Sequence, residues 1–262
     1  MIIALFPNEK KNQSFTLANQ VREFFQKQGI TVVAEDEKAS KIGATPLSAI
    51  DKSQIQFLIS MGGDGTLLRV AHHYSSLNIP VCGINLGHLG FMADIPIEDM
   101  FESLKDLISN KYSIDDRLIL EAKTQRKTPL YAVNDIVLHR AKNQSLIELA
   151  IHVNGTYVNT FVADGIIVAT PTGSTAYSLA AGGPILSPLL EAIVITPICP
   201  HTISNRPLVL TAGQNIEIEY LSSYDPIDVR ADGLDLYSMK SKEKLTISKS
   251  KRILKLVNLY RH

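Results

Sequence analysis

Cysteine is scarce in this chain. Cys82 and Cys199 stand far apart with no Cys-x-x-Cys, which excludes a disulfide scaffold and a cysteine zinc site. An excess of one charge is lacking too: Lys+Arg and Asp+Glu both number 26, so the formal net charge is zero. Neither nucleic acid nor an anionic membrane surface is favoured as a partner by that balance. No apolar run is long enough to span a membrane. The N-terminal Met-Ile-Ile-Ala-Leu-Phe is too short for a signal h-region and has no basic flank. A cytoplasmic location is the expectation. Two nucleotide fingerprints are missing as well, Gly-x-x-x-x-Gly-Lys-[Ser/Thr] and Gly-x-Gly-x-x-Gly. His72 and His73 are adjacent and cannot share a helix face at metal-ligand spacing, and His88 and His201 read as structural. No His/Cys/carboxylate cluster argues for a fixed protein metal site.

What is present is an ordinary globular composition: 262 residues, 45% hydrophobic and 20% charged, enough for one large domain or two smaller ones. Residues 1 to about 110 alternate strand and helix signals. Ile2 to Phe6, Ile30 to Ala34, Phe57 to Met61 and Val81 to Ile84 read as buried strands. Leu17, Ala18, Val21, Phe24 and Phe25 follow helical spacing up to Gly29. A second helix starts near Thr66 and is ended by Asn78-Ile-Pro80. Ile97 to Ile108 forms a long amphipathic helix with Pro96 at its start. Residues 35 to 53 read as a polar, mobile loop. The pattern is βαβ, hence a parallel sheet covered by helices.

From about residue 115 short β-type runs take over: Leu118 to Ala122, Tyr131 to His139, Leu146 to Val153, Thr156 to Val162, Ile166 to Ala169, Ile216 to Tyr220 and Leu245 to Ser248. Asn154-Gly155 is a hairpin signal, and the spacing suggests an antiparallel β sandwich. Arg252 to Leu259 is a candidate for a return to the first domain.

Gly62-Gly63-Asp64-Gly65-Thr66 lies between a strand and a helix. Glycines there let backbone approach a phosphate, and the helix N-terminus offers free N–H groups. An acid in such a loop repels phosphate unless it has a task, such as taking a hydroxyl proton. The plainer reading is that Asp-Gly is a common turn pair. A second dense stretch is Ala163-Asp164-Gly165 with Thr170-Pro-Thr-Gly-Ser-Thr-Ala-Tyr-Ser-Leu-Ala-Ala-Gly-Gly183. Its hydroxyls suit a polar ligand; a helix cap by Ser174 or Thr175 is the structural reading of the same residues. Asn134-Asp135 interrupts a strand run: a strand end or turn is the plainer reading, a bulge or a ribose-hydroxyl site the functional one. Asn85-Leu-Gly-His-Leu-Gly-Phe91 follows another strand, so the loops at 62–66 and 85–91 face one crevice at the strands' carboxyl ends.

This ordered set resembles the NAD kinases, which phosphorylate the 2′-hydroxyl of the adenosine ribose of NAD at the expense of ATP. Gly62 to Thr66, Gly83 to Phe91, Asn134-Asp135, Ala163 to Gly165, Thr170 to Gly183, Pro200 to Pro207 and Asp232-Gly233 follow the family's order. The first signature alone is shared with diacylglycerol and sphingosine kinases and phosphofructokinases; the Thr-Gly-Ser-Thr-Ala-Tyr-Ser run with Asn-Asp is specific. The resemblance implies a Rossmann-like α/β domain (1–114 plus about 250–262) and a C-terminal β-sandwich domain that binds NAD (115–249). It implies Asp64 as general base. Gly62, Gly63, Gly65 and Thr66 are implied to hold the ATP phosphates. NAD contacts fall to Asp64, Gly65, Arg69, Phe91, Asn134, Asp135, Asp164, Thr175, Ala176, Tyr177, Ser178 and Ala180. Mg²⁺ or another divalent cation is implied to arrive with ATP, and the assembly to be a homodimer or homotetramer. Polyphosphate as a second donor stays open. Val162 stands two positions before Asp164, where several relatives carry a basic residue. Two competing readings are a lipid kinase sharing the Gly-Gly-Asp loop and a catalytically silent NAD-binding sensor. The first lacks a basic amphipathic segment; the second predicts a damaged Asp64 or Asn134-Asp135, and both stand intact.

Overall fold

The computed structural model describes residues 1–11, 13–87, 90–93, 95–123, 128–201 and 206–259. The chain divides into two units, Met1–Asp116 with Leu254–His262, and Arg117–Ile253.

The first unit contains β1 (Ile2–Pro7), α1 (Ser14–Lys27), β2 (Thr31–Ala34), α2 (Asp36–Ile42), β3 (Thr45–Pro46), β4 (Ile55–Gly62), α3 (Asp64–Tyr74), β5 (Val81–Asn85), β6 (Ile95–Pro96) and α4 (Met100–Ile108). β1 pairs in parallel with β2 and β4, β4 with β5, and β5 with β6. The central strands are buried along nearly their whole length, as strands covered on both faces must be. The core collects Ile3, Leu5, Phe57, Ile59, Met61 and Ile84 from the sheet, and Ala18, Val21, Phe25, Leu104 and Leu107 from the helices. α1 ends where Gly29 takes φ +71°, and α3 runs into a 3₁₀ turn closed by Asn78 at φ +55°. Residues 35–53 are not a loop: α2, β3 and two 3₁₀ turns occupy them. α2 has seven residues and buries only Ala39 and Ile42, too few apolar positions for a period to register in the sequence. The long helix expected from Ile97 begins as a 3₁₀ turn, Ile97–Asp99, before α4.

The second unit contains β7 (Tyr112–Lys123, entering from the first unit), β8 (Leu130–Ala132), β9 (Asp135–His139), β10 (Ile147–Val153), β11 (Thr156–Ala163), β12 (Gly165–Ala169), α5 (Tyr177–Ala180), β13 (Ala192–Ile198), β14 (Leu208–Thr211), β15 (Ile216–Tyr220), β16 (Ile227–Ala231), β17 (Asp235–Met239) and β18 (Lys244–Leu259). One antiparallel sheet has the order β14-β13-β12-β9-β16-β17; in the other, β10 lies between β11 and β15, and β15 pairs with β18. Both sheets feed one core that includes Ile136, Phe161, Ile166, Ile195, Ile218, Tyr220, Val229 and Leu245, so this unit is a β sandwich. The run Tyr131 to His139, read above as one strand, is two: β8 ends at Ala132, β9 starts at Asp135, and Val133-Asn134 between them leave the ladder. β18 continues past Ile253 into the first unit, where Leu256 pairs in parallel with Val81.

Candidate active site

In the first unit the ends of β1, β4 and β5 bring Asn8, Gly62 to Thr66 and Asn85 to Gly87 to one edge of the sheet. α3 starts at Asp64, so the first-turn N–H groups of Asp64 and Gly65 have no intrahelical partner. Gly63 and Gly65 have open space where a Cβ would stand, which is what close approach by a phosphate requires. Gly62 has none: a Cβ there collides with the Thr66 hydroxyl. That hydroxyl accepts the Asn8 Nδ2–H at 2.9 Å, so Thr66 ties the glycine turn to the end of β1.

Asp64 is held by backbone. Its Oδ2 accepts the Phe91 N–H at 2.8 Å, and its Oδ1 accepts Met92 N–H at 3.1 Å and Ala93 N–H at 2.8 Å. A carboxylate offers about four acceptor positions. Three are filled, and the remaining one is on Oδ2. The 90–93 segment is itself pinned by Asn85, buried at the end of β5, whose Nδ2 donates to the Ala93 carbonyl at 3.0 Å and whose Oδ1 accepts Gly87 N–H at 2.8 Å. Gly90 faces the Asp64 carboxylate so closely that a Cβ would overlap it. The sequence offered only a weak sign of Asn85: a polar residue closing an apolar strand. Of Phe91, the backbone joins the site and the residue is 70% exposed. His88 lies outside the described residues. Arg69 is exposed on α3. It lines a polar cavity of about 220 Å³ with Thr66, Glu35 and Lys38, and, with Glu35 and Lys38 again, a second of about 480 Å³ bordered by Asn8, Lys10 and Asp36.

In the second unit a cavity of about 510 Å³ is lined by Asn134, Asp135, Val137, His139, Ala176, Tyr177, Asp228, Arg230, Asp232 and Gly233. The sheet positions these directly: on β9 and β16, Val137 pairs with Arg230 and His139 with Asp228. Thr170 holds the Val133-Asn134 break from one side. Its Oγ1 donates to the Val133 carbonyl at 2.6 Å and accepts Gly173 N–H at 3.0 Å, while its N–H donates to the Asn134 carbonyl at 2.8 Å. A Cβ on Gly173 would collide with that Asn134 carbonyl, so the glycine lets the two segments meet. Asp232 holds the break from the other side. Asp135 is buried, and burial first, then the Asp232 charge, push its carboxyl up to about 7.

The Thr170 to Gly183 run divides by task. Ala176 and Tyr177 line the cavity. Ser174 is fully buried; its hydroxyl donates to the Pro171 carbonyl and accepts Leu186 N–H. Ser178 is equally buried and pairs with the Thr196 hydroxyl at 2.8 Å. Thr175 donates to the Thr172 carbonyl at 3.2 Å, and Ala180 is exposed. The helix-cap reading fails, because Ala176 precedes α5 and no side chain caps it. Asp164 lies at the other end of β12 from Ala169, the partner of Asp135. It forms an ion pair with Arg140 Nε at 2.6 Å. Of the Pro200 to Pro207 segment, residues 202–205 lie outside the described residues.

Two family models match the chain: the ATP-NAD kinase N-terminal domain over residues 3–112 and the ATP-NAD kinase C-terminal domain over residues 133–259. An NAD kinase of Protochlamydia amoebophila is 50% identical over 261 residues, covering 100% of this chain and 94% of the relative. An NAD kinase of Lachnoclostridium phytofermentans is 35% identical over 268 residues, covering 98% and 94%. Among solved structures, yeast NADH kinase complexed with NADH superposes with a TM-score of 0.84 at 27% identity, over 98% of this chain and 83% of that one. An NAD kinase from Archaeoglobus fulgidus in complex with ATP shares the fold, with a TM-score of 0.81 at 24% identity over 100% and 95%.

Proposed function

The chain belongs to the NAD kinase family, and we propose how its residues carry the terminal phosphoryl group of ATP to the 2′-hydroxyl of the adenosine ribose of NAD. It is an ATP-dependent kinase of NAD. The carrying observation is Asp64, intact at the head of α3, oriented by three backbone N–H donors and left with one acceptor position on Oδ2.

That open position takes the 2′-hydroxyl proton. The 2′-oxygen forms a bond to the γ-phosphorus, the bond from that phosphorus to the β,γ-bridging oxygen breaks, ADP leaves, and the proton passes to Asp64. An ordinary carboxylate is a weak base, so its fixed direction matters more than its proton affinity. The N–H groups opening α3, with Gly62, Gly63, Gly65 and Thr66, receive the donor phosphates. Arg69 stands one turn further along α3 as a cation for phosphate. ATP is used as its complex with Mg²⁺ or another divalent cation, which is part of the substrate and neutralises phosphate charge during transfer.

Asn134 and Asp135 hold the adenosine ribose of NAD, beside Ala176 and Tyr177. We assign 1–114 with about 250–262 to the donor domain and 115–249 to the NAD-binding domain. A homodimer or homotetramer fits the exposed apolar side chains that follow α5, and Asp164, Thr175 and Ala180 are assigned to completing the NAD site in such an assembly, with Ser178 buried behind them on Thr196. We place the enzyme in the cytoplasm; among the described residues no helix is long and apolar enough to cross a membrane. The test is NADP formation from purified protein, ATP, Mg²⁺ and NAD. Product well above that of Asp64→Asn supports the reading; no product above it overturns the reading. Replacing ATP by polyphosphate in the same assay decides the donor.

A further inference from the structure

Asp232 sits in the three-residue turn between β16 and β17, with φ +52° and Gly233 next to it at φ +68°. Two successive left-handed residues turn the strand sharply, and aspartate is among the few non-glycine types that accept that region. The turn directs the Asp232 carboxylate at backbone about a hundred residues away in sequence. Its Oδ2 accepts the Val133 N–H at 2.8 Å, and its Oδ1 accepts the N–H groups of Asn134 at 2.8 Å and Asp135 at 3.2 Å. The Asp232 N–H returns a bond to the Asp135 carbonyl at 2.9 Å. These are the donors that the break between β8 and β9 removes from the ladder. Left without partners, such groups are costly in a buried segment.

We infer that Asp232 is a positioning residue for the nucleotide acceptor: its carboxylate fixes the Val133–Asp135 turn, and through it the Asn134 side chain and the Asp135 carboxyl that line the cavity. This rests on the reading of that cavity as the NAD site. Thr170 fastens the same turn only through its carbonyl side, so nothing among the described contacts replaces Asp232 on the N–H side. Three N–H donors favour the charged form of the carboxylate that accepts them, and a negative charge beside the buried Asp135 favours a proton there. Asp135 then presents a donor as well as an acceptor to a ribose hydroxyl.

The experiment compares wild type, Asp232→Ala and Asp232→Asn by steady-state kinetics with ATP and NAD varied separately. Asp232→Ala is expected to raise KM for NAD about 10-fold or more, with KM for ATP within about 2-fold, since the donor loop belongs to the other unit. Asp232→Asn keeps one carboxamide oxygen for two of the three N–H groups and is expected to fall between. An unchanged KM for NAD in Asp232→Ala, or equal losses for both substrates, overturns the inference. The pH dependence of KM for NAD gives a second readout. His139, Asp228, Arg230 and Tyr177 also face this cavity, so the Asp135 contribution is the part that Asp135→Asn abolishes. In Asp232→Asn that part is expected to move to lower pH; a part that stays in place counts against the role. A third readout needs no variant: the Val133, Asn134 and Asp135 amides of wild type are expected to be protected in hydrogen exchange, and fast exchange overturns the contacts. If wild type forms no NADP, the family reading fails while the exchange measurement still tests Asp232. If wild type is active and Asp232→Ala keeps its KM for NAD, only this inference fails.

Discussion

In the proposed transfer Asp64 combines two roles that a single carboxylate can hold because it has two oxygens. Oδ1 is committed to Met92 and Ala93, and Oδ2 is shared between Phe91 and an open direction. Asp64→Asn keeps the size and loses the proton acceptor. Turnover is expected to fall by about 10²–10⁴-fold, as steady-state kinetics on the folded variant would measure. Gly90→Ala tests the orientation separately, because its Cβ would displace the carboxylate. Loss of kcat in a folded protein is expected, and wild-type kcat would contradict the direction assigned to Asp64. Asp135 carries a pH signature. Its carboxyl is raised from 3.8 to about 7 on folding, so the folded state favours the protonated form. Its contribution to stability is full below about pH 4 and is lost as the pH rises to about 7. Asp135→Asn removes that loss: it is expected to melt above wild type at pH 8, with the difference shrinking towards pH 4.

At the level of elements, strands and helices with apolar repeats were legible, and the exceptions have causes. The β4–α3 junction could be read from Gly62 to Thr66 because glycine chemistry there is local. Gly62→Ala would push a Cβ into the Thr66 hydroxyl that holds Asn8. A destabilisation of about 1–3 kcal/mol is expected from such overpacking, together with a higher KM for ATP, and a variant neutral in both would show that the turn tolerates displacement. α2 escaped notice because two buried residues in seven make no period. The split of Tyr131 to His139 was half legible: Asn134-Asp135 signalled a strand end or turn, but the Asp232 carboxylate that takes the Val133 and Asn134 N–H groups is delivered by a remote hairpin. The resemblance implied Ser178 as an NAD contact, and Ser174 was a helix-cap candidate. Their partners, Leu186 and Thr196, lie further along the chain, and only packing could reveal them.

In the whole molecule, β18 begins in the second unit and ends in the first, where Leu254, Leu256, Val257 and Leu259 are almost fully buried. At about 1.5–3 kcal/mol per buried large apolar side chain, their removal rivals the stability of a small domain. A chain ending at Ile253 is expected to lose residues 1–116 first in limited proteolysis; equal resistance of that region would refute the role of the strand. Ile185, Leu189 and Leu190 are 68%, 63% and 49% exposed after α5, and the proposed assembly would cover them. Light scattering is expected to give a multiple of 28.8 kDa, reduced by Leu189→Asp, and a monomeric wild type would contradict the assembly. The sequence by itself determined the two fold classes, the glycine turn and the family, because hydrophobic period, glycine positions and motif order are properties of the chain read along its length. The tertiary structure alone decided which donors and acceptors meet: the 91–93 amides on Asp64, Asp232 on the Val133–Asp135 turn, Arg140 beside Asp164. Hydrogen bonds reach about 3 Å, and whether residues far apart in sequence come that close is set by the packing of the sheets that carry them.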